Sequence, residues 1–165
     1  MSHSVPSADL PLARDTVLVV DATIGIGRVL TRRLCLAGAS VAVVGVGHRE
    51  RADDAAANAA FLCKELVALG LVALPYRADV DRPETVRELP AQIAADLGPV
   101  TAAVVVLAPA SAGRTLVELF RGASGLLSGA LPPGARHIEV RLSEDVSHEE
   151  LAESVLSRLL ASGPR

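Results

Sequence analysis

Tryptophan is absent, and the aromatic side chains amount to Phe61, Tyr76 and Phe120. With so few stacking platforms, no basic stripe and a net charge of −3, the chain is not built to bind nucleic acid. Cysteine is nearly as scarce. Cys35 and Cys63 show no CxxC spacing and no histidine at ligand distance, so they read as small buried apolar groups. The four histidines are scattered, which gives no pattern for a metal site. No window approaches about 18 uninterrupted apolar residues, so no membrane span is expected. The start, MSHSVPSADLPLARD, lacks a basic segment followed by a long apolar one; no secretory leader is expected, and a soluble cytoplasmic protein is.

What the chain does have is length and apolar content. Its 165 residues, half of them apolar and mainly Ala, Val and Leu, suffice for one domain with its own core. The usage of alanine, arginine and leucine suggests a GC-rich bacterial genome. Residues 1–14 read as a flexible tail and 15–165 as the domain.

Thr16–Val20 is a continuous β-branched run, the pattern of a strand covered on both faces. A helical period follows over Gly25–Ala37, with Ile26, Leu30 and Leu34 on one side and Gly38 as its C-terminal cap. Val41–Val44 is a second strand. Arg51–Leu69 repeats the helical spacing through Ala52, Ala55, Ala59, Leu62 and Leu66, and Leu71–Tyr76 reads as a third strand. Asp81 with Glu84 resembles a capping box opening the next helix, with Pro83 tolerated in its first turn and Pro90 expected to kink or restart it. Ala102–Leu107 is a fourth buried strand.

Beyond Ala108 the pattern loosens. APASAG and ASGLLSGALPPGA are loop-like stretches around a short helix candidate, Leu116–Phe120. His137–Leu142 alternates strictly, which predicts a strand with one wet face at the sheet edge. Ser147 and Glu150 form a second capping-box pair ahead of a helix burying Leu151, Val155 and Leu159. Repeated strand–helix units with short loops predict an α/β fold: a Rossmann-type doubly wound parallel sheet, shortened, in three α/β/α layers.

GIGRVLTRRLCLAGASVAVVG (Gly25–Gly45), ADVD (Ala78–Asp81) and AAVVVL follow one another in the order and spacing of the short-chain dehydrogenase/reductase family, which residues 15–110 resemble. The abbreviated part, 111–165, ends in a helix that looks like the last large helix of that family. In the family, a T-G-x-x-x-G-x-G loop holds the cofactor pyrophosphate on backbone amides and a helix N-terminus. The resemblance places Thr23 at a phosphate-contacting hydroxyl position and Gly25, Ile26 and Gly27 in the loop. It places Asp79 as acceptor for the adenine amino group and Val80 beside the ring.

Other positions depart from the family. Val20 and Asp21 replace the first Thr-Gly. A carboxylate about 5 Å from a phosphate, at an effective dielectric near 20, costs roughly 3 kcal/mol, on the order of a hundredfold in affinity. Asp21 alternatively serves the turn or caps a helical amide. At the end of the second strand, Gly45-Val46-Gly47 offers no acidic ribose anchor; Arg49 and Arg51 lie beyond it, as candidates for a 2′-phosphate or as a solvated helix start. The Asn-Asn-Ala-Gly that follows the fourth strand in the family is replaced by apolar residues. The family's catalytic Ser and Tyr-x-x-x-Lys have no counterpart, because the single tyrosine, Tyr76, and the single lysine, Lys64, both stand upstream.

No catalytic residue is therefore assigned, and the expected cofactor is none or a weakly held NAD(P). The expected function is that of a non-catalytic, regulatory or structural subunit that self-associates or pairs with a full-length homologous reductase. One alternative is an NAD(P)-binding oxidoreductase component or nucleotide sensor. Another is a small non-redox enzyme, a cyclase or isomerase, using Asp21, His48 and Asp79 at the strand ends. TVLVVDATIGIGRVL also resembles the opening of a response-regulator receiver, but Ala22 stands at that fold's second acidic position and no lysine follows Lys64.

Overall fold

The computed structural model describes residues 9–22, 25–48 and 54–161. Five parallel strands, β1 (Thr16–Val20), β2 (Ser40–Gly47), β3 (Ala73–Asp79), β4 (Ala102–Val106) and β5 (Arg136–Val140), form one sheet in the order β3-β2-β1-β4-β5. Reversal of direction on either side of β1 makes this a doubly wound sheet. α1 (Gly25–Leu36), α2 (Ala55–Ala68) and α5 (His148–Ala161) cover one face, and α3 (Pro83–Leu97) and α4 (Arg114–Ala130) cover the other.

Alternation along β1 explains the two layers. Val17 and Val19 join the core under α1, α2 and α5, while Leu18 and Val20 join the core under α3 and α4. Every residue of β1 and β4 is buried, as the apolar runs predict for strands covered twice. Edge strand β5 instead buries Ile138 and Val140 and exposes Glu139, the expected one wet face, but it ends at Val140 and leaves Leu142, expected on its buried side, exposed beyond it.

Several boundaries differ from the sequence expectation. β2 runs on to Gly47, and its parallel register with β3 draws that strand forward to Asp79. The helix expected from Arg51 is seen from Ala55, capped by Asp54, whose Oδ1 accepts from the Ala57 amide at 3.0 Å; residues 51–53 lie outside the described residues. The expected Asp81–Glu84 capping box does not form: α3 is entered through Arg82 without a side-chain cap, with Pro83 in the first turn. Pro90 is buried within α3, which neither stops nor restarts there. The Ser147–Glu150 box does form, reciprocally, at 3.1 Å in each direction.

The largest difference is α4. The helix expected only over Leu116–Phe120 extends through the glycine-rich stretch to Ala130. Phe120, Ala123, Ser124 and Leu127 recur at helical spacing and are buried against the sheet, so packing outweighs the low helix propensity of three glycines. The expected tail also shortens. Leu12 is 2 % exposed within the core, and its amide donates to Ala37 O at 2.9 Å, which ties residues 9–14 to the turn after α1. Residues 1–8 lie outside the described residues.

Candidate functional site at the carboxyl edge of the sheet

In open α/β sheets, ligands bind beyond the carboxyl ends of the strands where strand order reverses, here between β1 and β4. The β1–α1 turn occupies that point. Asp21 has φ 63°, the left-handed region that glycine enters without strain. The backbone thus keeps the conformation suited to glycine while the side chain is a carboxylate. Gly25 also has positive φ, 54°, and is exposed; Ile26 is buried in the core, and Gly27 lies under the turn. A Cβ on Gly27 would stand 2.1 Å from Asp21 O and 2.9 Å from Ala22 Cα, so this glycine is required for helix–strand packing whatever the loop binds. Thr23 lies outside the described residues.

At the end of β3, Asp79 stands opposite Gly47 of β2. Its Oδ1 accepts from Arg77 Nε at 3.0 Å, and the same oxygen would lie 2.1 Å from a Cβ on Gly47. The glycines read as a missing ribose anchor therefore have packing duties. Gly47 makes room for the Arg77–Asp79 pair, and Gly45 for the first turn of α2, because its Cβ would meet Ala55 O at 2.2 Å. Val80 does not present a surface for stacking: its side chain is 5 % exposed in the α3/α4 core, and its amide donates to Gly47 O at 3.1 Å. His48 follows β2, buried at the same edge.

Three features of this arrangement weigh against a dinucleotide. A carboxylate occupies the β1–α1 turn, the expected adenine acceptor is engaged by arginine, and the expected stacking side chain faces the core. Between the sheet and α3/α4 lies a cavity of about 10 Å³, lined by Val20, Val80, Val86, Phe120 and Leu127 with Ser124, the volume of about one water.

Tyr76 and Lys64 are placed far from catalytic duty. Tyr76 Oη donates to Asp96 Oδ2 at 2.6 Å, near the end of α3. Burial, and then that hydrogen bond, push its pKa above the usual tyrosine value. Lys64 sits on the exposed side of α2, 5.9 Å above the Phe61 ring.

One polar cluster was not legible in the sequence. Ser124 of α4, fully buried, donates to Glu139 Oε1 at 2.9 Å and lies 3.1 Å from His137 Nε2. With the single hydroxyl proton directed to the carboxylate, Oγ accepts from Nε2–H. A nucleophilic triad needs histidine between serine and acid, with the serine open to substrate. Here the serine is the bridge and is sealed in, so the cluster ties α4 to β5. Only the i, i+2 placement of His137 and Glu139 on one strand face hinted at it. Among the described residues, no group of three or more His, Cys, Asp or Glu could hold a metal. No helix among them is long and apolar enough to cross a membrane.

Strand order, layers and the glycine-bearing β1–α1 turn define a Rossmann-type protein. Solved structures of the same fold include short-chain dehydrogenase/reductases. A short-chain type dehydrogenase/reductase from Mycobacterium marinum aligns over 96 % of this chain and 70 % of its own, at 21 % identity and TM-score 0.60. A blue fluorescent protein from a metagenomic library, solved in complex with NADPH, aligns over 92 % and 71 %, at 24 % identity and TM-score 0.63. A hydroxysteroid dehydrogenase from Escherichia coli aligns over 94 % and 70 %, at 19 % identity and TM-score 0.66. At these identities the likeness is one of fold, and the chain spans about 70 % of those proteins' length. No protein-family model matches the sequence, and no curated protein does.

Proposed function

We propose that this chain is a short-chain-dehydrogenase-like protein that is not itself an active dehydrogenase. It works as a regulatory or structural subunit, by associating with itself or with a full-length reductase of the same fold. The observation that carries this reading is the placement of its one tyrosine, with the hydroxyl bound to Asp96 near the end of α3 and away from the carboxyl edge. The only lysine lies on α2, so the chain has no tyrosine–lysine pair to donate a proton at that edge. The test combines two measurements on the purified chain: NAD(P)H oxidation with a panel of aldehydes and ketones, and size-exclusion chromatography alone and mixed with full-length reductases. No turnover together with a stable complex is expected. Turnover by the chain alone, or a stable monomer that joins no reductase, overturns the reading.

A second reading is retained dinucleotide binding, weak and without catalysis. It is favoured by Gly25, exposed with positive φ at the start of α1, and by the NADPH bound to one neighbour of the same fold. Calorimetric titration with NAD(H) and NADP(H) decides it; the absence of heat at millimolar ligand rejects it.

A further inference from the structure

The two edges of the sheet are finished differently. In β3, alternate residues face β2: Val72 O accepts from Val41 N, and Val80 N donates to Gly47 O. Leu74, Tyr76 and Ala78 share that parity, which leaves Ala73, Pro75, Arg77 and Asp79 pointing outward. This outer edge is blunted. Pro75 has no N–H to offer, and the Asp79 amide donates to Thr85 Oγ1 at 3.0 Å.

At the other edge, Arg136 N donates to Thr101 O and Val140 O accepts from Leu107 N, so Arg136, Ile138 and Val140 face β4. His137 and Glu139 turn their N–H and C=O groups outward, and none of these four groups takes a hydrogen bond among the described residues. β5 contains no proline. Its two outward-facing residues differ in kind, one an imidazole and the other a carboxylate.

We propose that the outer edge of β5 pairs antiparallel with β5 of a second copy of this chain, about a two-fold axis at Ile138. Parity restricts the register, because only His137 and Glu139 can exchange hydrogen bonds across the edge. Centring on Ile138 places His137 opposite Glu139 of the second copy and Glu139 opposite its His137, each pair exchanging both N–H···O=C bonds. Shifting the axis to His137 sets histidine against histidine. Shifting it to Glu139 sets carboxylate against carboxylate. The centred register alone sets imidazole against carboxylate at both places, and its self-complementarity is what a closed two-fold dimer requires. Ser124 contributes indirectly, because its contacts at 2.9 and 3.1 Å hold both side chains on one face. The inference rests on the self-association form of the function proposed above and names its surface.

Sedimentation velocity of the full chain over a range of concentrations tests it, with circular dichroism to confirm folding of each variant. A dimer is expected. Glu139→Pro, which copies the device at Pro75, and E139K should each weaken dimerisation about tenfold or more, while H137E/E139K, which sets glutamate opposite lysine in both pairs, should restore it. Amide exchange on the unmodified chain gives a readout independent of variant folding: protection at His137 and Glu139 should rise with concentration. A dimer indifferent to the edge variants, or without concentration-dependent protection at these amides, overturns the β5 edge and leaves self-association standing. A chain monomeric at every concentration, even one that captures a different protein, overturns both.

Discussion

A Cβ added to Gly27 would stand 2.1 Å from the carbonyl oxygen of Asp21, so the first turn of α1 rests directly on the turn that leaves β1. Both sides of this contact are backbone, which leaves no flexible side chain to move aside. Gly27→Ala is therefore expected to destabilise the fold by about 2 kcal/mol or more. Gly45→Ala, facing Ala55 O at 2.2 Å, should behave likewise. Urea unfolding measures both, and a loss below about 0.5 kcal/mol for either would contradict the packing described.

Asp21 separates the conformational role of its position from the chemical one. With φ at 63°, a β-branched residue is disfavoured, so Asp21→Val should cost about 1–2 kcal/mol, while Asp21→Gly should be neutral or stabilising by up to about 1 kcal/mol. Asp21→Gly and Asp21→Asn both remove the carboxylate from the β1–α1 turn. If the rest of the cradle is competent, calorimetry should show both binding NADP(H) at least about tenfold tighter than the parent chain. Equal affinity in all three would shift responsibility to Val80 and the Arg77–Asp79 pair.

Gly122, Gly125 and Gly129 lie within α4, and a Cβ on any of them meets nothing within 4 Å. Replacement by alanine should stabilise the isolated chain by about 0.8–1 kcal/mol at each position, through helix propensity alone. Thermal melts of the single and triple variants check this. A destabilising result would mean that a neighbouring chain lies close against this face.

Burial pushes the Cys35 thiol up to about 12, with Cys63 nearby adding to the effect, and burial pushes Cys63 up to about 11. The folded state thus holds protons that the unfolded thiols release near their ordinary value of 9.0. The contribution is fully present below pH 9 and is lost as pH rises towards the folded values. Urea midpoints should fall between pH 9 and 11, and Cys35→Ala should flatten that fall. At pH 8 both thiols should resist a thiol reagent until the protein unfolds.

Much of the fold was legible because its signals are local. The apolar runs at Thr16–Val20 and Ala102–Leu107, the helical spacing of Ile26, Leu30 and Leu34, and the Ser147–Glu150 box each depend on neighbours a few residues away. Where long-range packing competes with local chemistry, reading the chain one segment at a time erred. The glycines of α4 suggested a loop, yet Phe120, Ala123 and Leu127 bury a stripe that holds the helix together. Asp81 and Glu84 had the spacing of a cap, but β3 extends to Asp79 in register with β2, and α3 is entered through Arg82 instead.

The candidate site divides in the same way. Residue identities alone establish that a carboxylate directly follows the first apolar run and that the single tyrosine and lysine are both upstream of the second half, because these are facts of order along the chain. Whether Asp21 would adopt the glycine conformation, whether Val80 would face solvent or core, and what Gly47 makes room for were decided by the tertiary structure. Each depends on which backbone approaches from another strand or helix. The same holds for Ser124, His137 and Glu139, which are separated in sequence and meet only because α4 folds back over β5. Periodicity reports how much of a segment must be buried; only the packed sheet determines against what.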